Sequence, residues 1–295
     1  MKPIYKIMFF FSAGLTITAV VLTAIFGLRL GVDFKGGSVI EIVFDGQRPS
    51  PDEIKTIVSS VHGTNDISVS PESEKGAIVR LNNVDEQVHQ AILGAVSDKF
   101  GKITENRFDS IGPTIGAELE RKSITAIIIL LLAIIVYIAI VFRKLSSVLS
   151  PWAMGFAAIA GLVHDILIPA GLFALLGRYL NVEITSVFVA AALTILGFSV
   201  SDSVVVFDRV RENVLRFGAR ENFGETVHRS VLQTLVRSIN TTLTVLLSLI
   251  AIYFFGGESV KYFALALIVG FFCGAYSSIF IASPILVWLG GRRRG

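Results

Sequence analysis

Residues 124–142 read ITAIIILLLAIIVYIAIVF, a run of nineteen residues without a charged side chain. An α-helix rises about 1.5 Å per residue, so about 20 apolar residues cross the roughly 30 Å hydrocarbon core of a bilayer. This run therefore predicts a membrane-spanning helix. The whole chain is similarly apolar, since 53% of its 295 residues are hydrophobic and its mean hydropathy is +0.71.

Further apolar runs on both sides of this stretch predict the rest of the architecture. Six segments are long enough to span: Ile7 to Leu28, Ile124 to Phe142, Pro151 to Leu176, Ile184 to Phe207, Ile239 to Phe255 and Tyr262 to Leu289. The first is too long for the apolar region of a cleaved signal peptide, which has about 7–15 residues. The last is long enough to tilt or to bend at Pro284. The sequence predicts a polytopic α-helical membrane protein with six transmembrane helices.

Basic residues at the ends of these runs predict the orientation. If the spans are threaded in order, the short basic flanks all fall on one side: Lys2 and Lys6, Arg143 and Lys144, the Arg209 to Arg237 connection, and Arg292 to Arg294. Cytoplasmic loops carry an excess of Lys and Arg. We therefore expect an inner-membrane protein with both termini in the cytoplasm. The predicted organisation is 1–30 with the first span, an external domain at 31–122, and a bundle at 123–295 containing a cytoplasmic loop at 208–237.

The external segment changes from continuous apolar runs to alternation, which is typical of strands. Strands are expected at Ser38 to Phe44, Asp66 to Ser70, Ala77 to Leu81 and Ile103 to Phe108. Helices are expected from Pro51 and from Asp85 to Phe100. The order βαββαβ predicts an α+β, ferredoxin-like domain between the first and second spans.

Several functional classes lack support in the sequence. The histidines of this domain, His62 and His89, have no spaced Cys, His or carboxylate partners, so they are interpreted as surface histidines and no metal site is expected. The short Lys35-Gly36-Gly37 turn lacks the context of a phosphate-binding loop, and no cofactor is expected. The net charge of +3 reflects the basic flanks, so no nucleic acid is expected either.

Charged and polar residues inside the predicted spans are the candidate functional groups, because an ionisable side chain inside a membrane is costly. The candidates are Asp202 and Arg237 as a proton-coupling pair, with Ser199, Ser201, Ser203, His164 and Asp165 as supporting polar residues. Burial favours a protonated carboxylic acid, whereas a nearby arginine favours the carboxylate. A movement that separates such a pair would therefore bind or release a proton.

Each candidate also has a structural interpretation, which the sequence leaves open. Arg237 opens the predicted fifth span and can extend its side chain to the cytoplasmic interface. His164 and Asp165 can form a structural bond between helices. Asp202 can be an interfacial acid near the end of its span. Small residues recur at every fourth position of span six, which predicts a ridge for close helix packing at Gly270, Gly274, Ser278 and Ala282.

Four motifs along the chain resemble those of a known family. They are GVDFKGG at 31–37, IGPTIGAE at 111–118, GFSVSDSVVVFDRVREN at 197–213 and RSINTT at 237–242. They closely resemble the signature motifs of the bacterial SecF family, and the likeness covers nearly the whole chain. The chain has Ser201 where that family often has Asn. The first two motifs supply the residues expected to be structural: Asp33, Gly36, Gly37, Gly112, Pro113 and Gly116.

The resemblance implies pairing with SecD and association with the SecYEG channel, with YajC and YidC as further candidate partners. It also implies that proton-motive force drives the external domains to capture unfolded preproteins, and that Asp202 and Arg237 take part in proton coupling. The chain would then be a translocase accessory subunit and not an enzyme. The main alternative is a proton-driven exporter of small molecules or lipids from the resistance-nodulation-division superfamily. An intramembrane enzyme is a weaker alternative, since His164 and Asp165 do not form a His-Glu-x-x-His motif.

Overall fold

The structure is a computed structural model that describes residues 2–63, 67–143, 150–217 and 222–291. Asp66, Lys144 and Arg292 to Arg294, which entered the predictions above, lie outside these ranges. Contacts divide the chain into two compact units, Met1–Arg29 with Thr125–Gly295, and Leu30–Ile124. In chain order the elements are α1 Pro3–Phe26, α2 Val32–Lys35, β1 Gly37–Phe44, α3 Pro51–His62, β2 Ser68–Pro71, β3 Gly76–Leu81, α4 Glu86–Phe100, β4 Ile103–Ile111, α5 Pro113–Val141, α6 Pro151–Leu180, α7 Ser186–Phe217, α8 Phe223–Phe255, α9 Glu258–Ser277, a π-helical segment Ser278–Ala282, and α10 Ser283–Gly291.

The smaller unit has the predicted ferredoxin-like fold. Its antiparallel sheet has the order β2-β3-β1-β4, so the first and third strands are neighbours in the centre. Alternate residues of β1, namely Ile40, Ile42 and Phe44, are buried, and they belong to one core with residues of α3 and α4 such as Ile54 and Ile92. The strand period of two thus places the apolar side chains of β1 on the helix-covered face.

Local sequence signals set the ends of the two helices in this unit. Ser50 caps α3 through a capping box, in which its hydroxyl accepts from the Glu53 backbone and the Glu53 carboxylate accepts from the Ser50 backbone. The Asp85 carboxylate accepts from the Val88 backbone at 2.9 Å and caps α4.

His89 on α4 departs from its prediction. Only 3% of its surface is exposed, its Nε2 lies 2.8 Å from Glu105 Oε1, and its ring stacks on Phe108 with centroids 3.7 Å apart. The prediction of a surface histidine is therefore wrong for His89, because the helix phase turns it toward β4. The side chain of His62 lies outside the described part of the structure.

Within the described ranges, six helices are long and apolar enough to cross a membrane, which confirms the predicted number. The fifth starts earlier than predicted, at Phe223 and not near Arg237, while α7 continues to Phe217. The predicted loop at 208–237 is thus mostly helical. The apolar run begins only at Ile239 because the first half of α8 contains charged residues, such as Glu225 and Arg229, and a buried stripe with hydroxyl residues: Thr226, Ser230 and Thr234.

The sixth span is not a uniform α-helix. It passes from α9 into the π-helical segment and continues as α10, whose second residue is Pro284. Proline has no backbone N–H to donate to the preceding turn, which explains an irregularity directly before it. The sequence placed a possible bend at this proline, and the irregular turn contains Ser278.

Candidate functional site

One stripe of α7 faces the interior of the larger unit. Ser199, Asp202, Ser203 and Val206 are buried, at intervals of three or four residues, whereas Ser201 is exposed. Successive helical residues differ by about 100° in direction, so Ser201 faces away from the other polar residues of its motif. The structure therefore separates Ser201 from the cluster in which the sequence had placed it.

Asp202 lies near the middle of α7, with 8% of its surface exposed. Its carboxylate receives two hydroxyl hydrogen bonds, from Ser238 on α8 to Oδ1 and from Ser278 to Oδ2 at 2.9 Å. Three segments therefore enclose the carboxylate. α7 continues to Phe217, so Asp202 does not cap the end of this helix.

Arg237 is exposed, although it precedes Ser238 directly. Among the described contacts of Asp202, the hydroxyl of Ser238 occupies the side that faces α8. Neighbouring residues of a helix point about 100° apart, which places Arg237 on an adjacent strip of the α8 surface. This structure thus brings Ser238, and not Arg237, to the acid.

A second buried carboxylate lies on α6. Asp165 has no exposed surface, and its Oδ2 accepts hydrogen bonds from Ser199 at 2.5 Å and from Ser277 at 2.7 Å. Its Oδ1 lies 2.7 Å from Nδ1 of His164. The hydroxyl of Ser199 therefore serves Asp165 and not Asp202. The polar residues that the sequence assigned to one acid are divided between two.

His164 extends the second cluster to α1. Its Nε2 lies 2.6 Å from Ser12 Oγ, and both side chains are buried. The ring of Tyr276 lies nearly parallel to the imidazole, with centroids 6.3 Å apart, and its hydroxyl donates to the Met8 carbonyl at 2.8 Å. The imidazole is thus fixed at both nitrogens between α1 and α6.

The two clusters meet at Ser277 and Ser278, which are adjacent residues at the end of α9 and the start of the π-helical segment. Ser277 donates to Asp165, and Ser278 donates to Asp202. The Ser283 hydroxyl donates to the Ser278 carbonyl at 2.8 Å, which satisfies a backbone group of the irregular turn. π-helical turns often occur at functional sites.

Small residues allow the helices to approach closely enough for these bonds. A Cβ built on Gly270 would lie 2.2 Å from Ile195 of α7, and one on Gly274 would lie 3.1 Å from Ser199 Cβ. The predicted ridge therefore packs against α7 of the same chain at these positions. An alanine at Gly270 would therefore collide with the Ile195 side chain, and an alanine at Gly274 would crowd Ser199.

The glycine motifs of the smaller unit have a backbone role. Gly36 and Gly37 have φ of +78° and +130°, and a Cβ on Gly36 would lie 2.7 Å from Pro113 Cα. A Cβ on Gly116 would lie 2.8 Å from the Phe34 carbonyl oxygen. α2 is therefore packed directly against the first turn of α5, while Asp33 lies half-buried in the first turn of α2. Gly112 has open space around its Cβ position.

Sequence reasoning missed the hydroxyl partners Ser12, Ser238 and Ser277, and it named Ser278 only as a packing residue. Ser12 and Ser277 lie inside apolar runs, whereas Ser238 directly follows Arg237, and none of these positions is a specific signal. No group of three His, Cys, Asp or Glu side chains arranged as metal ligands occurs within the described ranges. The chemistry of the site is that of two carboxyl groups, one imidazole and several hydroxyls.

Comparisons with known proteins give the family. The family described as "Protein export membrane protein SecD/SecF, C-terminal" matches residues 92–292, and the "SecD/SecF GG Motif" matches residues 21–47. The protein translocase subunit SecF of Thermobaculum terrenum is 41% identical, over 94% of this chain and 89% of its own length. The corresponding subunit of Synechocystis is 39% identical, over 88% of this chain and 82% of its own.

A solved structure supports the same relation. The crystal structure of SecDF, a translocon-associated membrane protein from Thermus thermophilus, superimposes with a TM-score of 0.80 at 31% identity. The match covers 96% of this chain and 37% of that protein, so this chain spans little more than a third of SecDF. Matches over most of the chain in sequence and in structure agree, and the chain belongs to the SecD/SecF family of protein-export membrane proteins.

Proposed function

We propose that this chain is an accessory subunit of the bacterial protein translocase that uses proton-motive force to promote preprotein translocation. Its partner would be SecD, and the pair would act on unfolded preproteins at the SecYEG channel, with YajC and YidC as further candidates. The chain would lie in the inner membrane with both termini in the cytoplasm. Relatives that match over most of both chains are translocase subunits, which favours this role over a proton-driven exporter.

The observation that carries the proposal is the enclosed carboxyl group of Asp202. It lies between α7, α8 and the π-helical segment, inside the unit that contains the six candidate spans. Among the described residues its hydrogen bonds come from neutral hydroxyls. A carboxyl group without a permanent cationic partner can change its charge by taking up a proton, and hydroxyls can serve both forms because they donate and accept.

Arg237 supplies the second half of the proposed cycle. Ser238 faces Asp202 in this structure, and Arg237 lies about 100° further around α8. A rotation of α8 would replace the hydroxyl by the guanidinium beside the acid. Because a permanent positive charge favours the carboxylate, Asp202 would release its proton in that second arrangement. The proposed device therefore moves a helix in order to alternate between a proton-binding and a proton-releasing environment.

The test is preprotein export into vesicles that contain this chain, its SecD partner and the channel, with and without an imposed proton gradient. Asp202→Asn keeps the side-chain shape but cannot ionise, and it is expected to abolish the stimulation by the gradient. Membrane insertion and copurification with the partner should be retained. Asp208→Asn is the matched control, because Asp208 lies on the same helix but is exposed and paired with Arg211. Normal gradient-dependent export by Asp202→Asn would contradict the proposal.

A further inference from the structure

Asp165 is more deeply buried than Asp202 and lies on a different helix, outside the polar motif of α7. Its two oxygens contact an imidazole and two hydroxyls that come from α6, α7 and α9. Hydroxyls and a neutral imidazole can each donate or accept a hydrogen bond, so these partners can serve either protonation state of Asp165.

We propose that Asp165 is a second proton-binding carboxyl of the bundle, loaded through the imidazole of His164. Its protonation is coupled to that of Asp202 by the adjacent hydroxyls of Ser277 and Ser278. This inference rests on the proposed function, in which Asp202 exchanges protons. It adds a second site and a physical connection between the two.

The contacts of His164 fit both protonation states of Asp165. With the carboxylate, Nδ1–H donates to Oδ1 over 2.7 Å, and the Ser12 hydroxyl donates to Nε2 over 2.6 Å. With the carboxylic acid, Oδ1–H donates to Nδ1, and Nε2–H donates to Ser12 Oγ. In both states the two ring nitrogens of His164 and Oδ1 of Asp165 keep a hydrogen-bond partner, so the exchange leaves none of these three buried atoms unpaired.

Loading follows from these two arrangements with every proton accounted for. The Ser12 hydroxyl transfers its proton to Nε2 while its oxygen takes a proton from a hydronium ion, which becomes water; at the same time the Nδ1–H bond breaks and its proton binds Asp165 Oδ1. The imidazole begins and ends neutral with its proton moved from Nδ1 to Nε2. The carboxyl group gains one proton. A histidine with both nitrogens hydrogen-bonded is suited to this transfer.

The serine pair has alternative acceptors on α9. The Ser277 hydroxyl lies 2.7 Å from Asp165 Oδ2 and 3.2 Å from the Gly274 carbonyl. The Ser278 hydroxyl lies 2.9 Å from Asp202 Oδ2 and 3.0 Å from the Ala275 carbonyl. When Asp165 carries a proton on Oδ1, its Oδ2 becomes a carbonyl oxygen and a weaker acceptor than a carboxylate oxygen, so Ser277 can donate to the Gly274 carbonyl instead. When Asp202 carries a proton on Oδ2, it can donate to Ser278, which can then donate to the Ala275 carbonyl.

Both alternative carbonyls belong to the last turn of α9, directly before the π-helical segment. Protonation of either acid therefore changes the hydrogen bonding of the same turn. Ser283 is bonded to the carbonyl of Ser278, so the change also reaches the irregular turn. Ser277 and Ser278 are adjacent and bond to carbonyls of the same turn, so this turn is the physical connection between the two acids.

Other titratable groups near Asp165 would affect the pH at which it binds a proton. His164 shares α6, while Tyr276 and Cys273 lie on α9, and Cys273 interacts electrostatically with the carboxylate. From α7 the nearest acid is Asp202, through the serine pair. The contact from α1 is the neutral Ser12 hydroxyl to His164.

The test is pH-dependent infrared spectroscopy of the full chain in lipid vesicles, in the carboxylic-acid C=O stretching region. A protonated-carboxyl band that titrates with pH and disappears in Asp165→Asn is expected. In Asp202→Asn, the titration midpoint of the Asp165 band should shift. In a chain that carries Ser277→Ala and Ser278→Ala, the same Asp202→Asn change should cause no shift. His164→Phe should slow protonation of Asp165 after a pH jump, and Ser201→Ala should leave the spectra unchanged.

Each outcome bears on a defined part of the proposal. Absence of a titrating band that depends on Asp165 overturns the second site, whatever Asp202 does. If the titration midpoint of the Asp165 band is the same in Asp202→Asn, the coupling is overturned. If His164→Phe does not change the rate at which Asp165 is protonated after a pH jump, the loading route is overturned. These failures leave the proposed function intact if export still depends on Asp202. If export depends neither on Asp202 nor on the proton gradient, the proposed function itself is contradicted.

Discussion

Removal of the Ser199 hydroxyl is the most quantitative test of the arrangement around Asp165. The Ser199 Oγ lies 2.5 Å from Asp165 Oδ2, and this bond is charge-assisted when the carboxyl group is ionised. Such bonds contribute about 1.5–3 kcal/mol, whereas polar bonds between membrane helices average about 0.6 kcal/mol. Ser277 still donates to the same oxygen in Ser199→Ala, so the expected loss of unfolding free energy is at the lower end, about 1.5 kcal/mol.

The measurement is a double-mutant cycle of Ser199→Ala and Asp165→Asn, followed by equilibrium unfolding of the full chain in mixed micelles. The coupling energy is expected to be about 1.5 kcal/mol when Asp165 is ionised and to fall toward about 0.6 kcal/mol at a pH at which it is protonated. Ser201→Ala is the control and should stay within about 0.5 kcal/mol, since Ser201 is exposed. A coupling energy near zero at every pH would refute the assigned bond.

Two further predictions concern packing and the smaller unit. Gly171→Ala places a Cβ 2.6 Å from Ala19 Cα and should destabilise the contact between α1 and α6 by about 1–3 kcal/mol in the same unfolding assay. Gly14→Ala meets no atom within 4 Å and should not destabilise. The hydrogen bond from Ser50 holds the pKa of Glu53 below its ordinary value, so its stabilisation is present above that ordinary pKa and is lost as pH falls through the folded pKa. In Ser50→Ala, an NMR titration should therefore find the pKa of Glu53 moved upward, and an unchanged value would contradict the capping contact.

Much of the fold could be predicted because it depends on patterns within single segments. Apolar runs identified six spans, and the alternation in β1 with the turn signals around it identified the βαββαβ order. The start of α8 could not be predicted from hydropathy, because Thr226, Ser230 and Thr234 are buried in the helix with hydroxyl-to-carbonyl bonds of the i to i−4 type. Such serines and threonines lower the mean hydropathy without ending a helix.

The candidate site could be predicted only in part. Helical periodicity alone separates Ser201 from Ser199 and Asp202, and this was available from the sequence. The division of the polar groups between two acids could not be predicted from the sequence, because it depends on the rotation of α6, α7 and α9 about their axes. Whether Arg237 or Ser238 lies beside Asp202 depends in the same way on the rotation of α8 about its axis.

The most direct test of the central claim is proton uptake during export. Vesicles that contain this chain with its partner and the channel would enclose a pH-sensitive dye, and the internal pH would be followed after preprotein is added under an imposed gradient. We expect preprotein-dependent proton flow in the unmodified chain and in Asp208→Asn, and none above background in Asp202→Asn. Proton flow in Asp202→Asn equal to that of the unmodified chain would contradict the assignment of Asp202 as the group that exchanges protons.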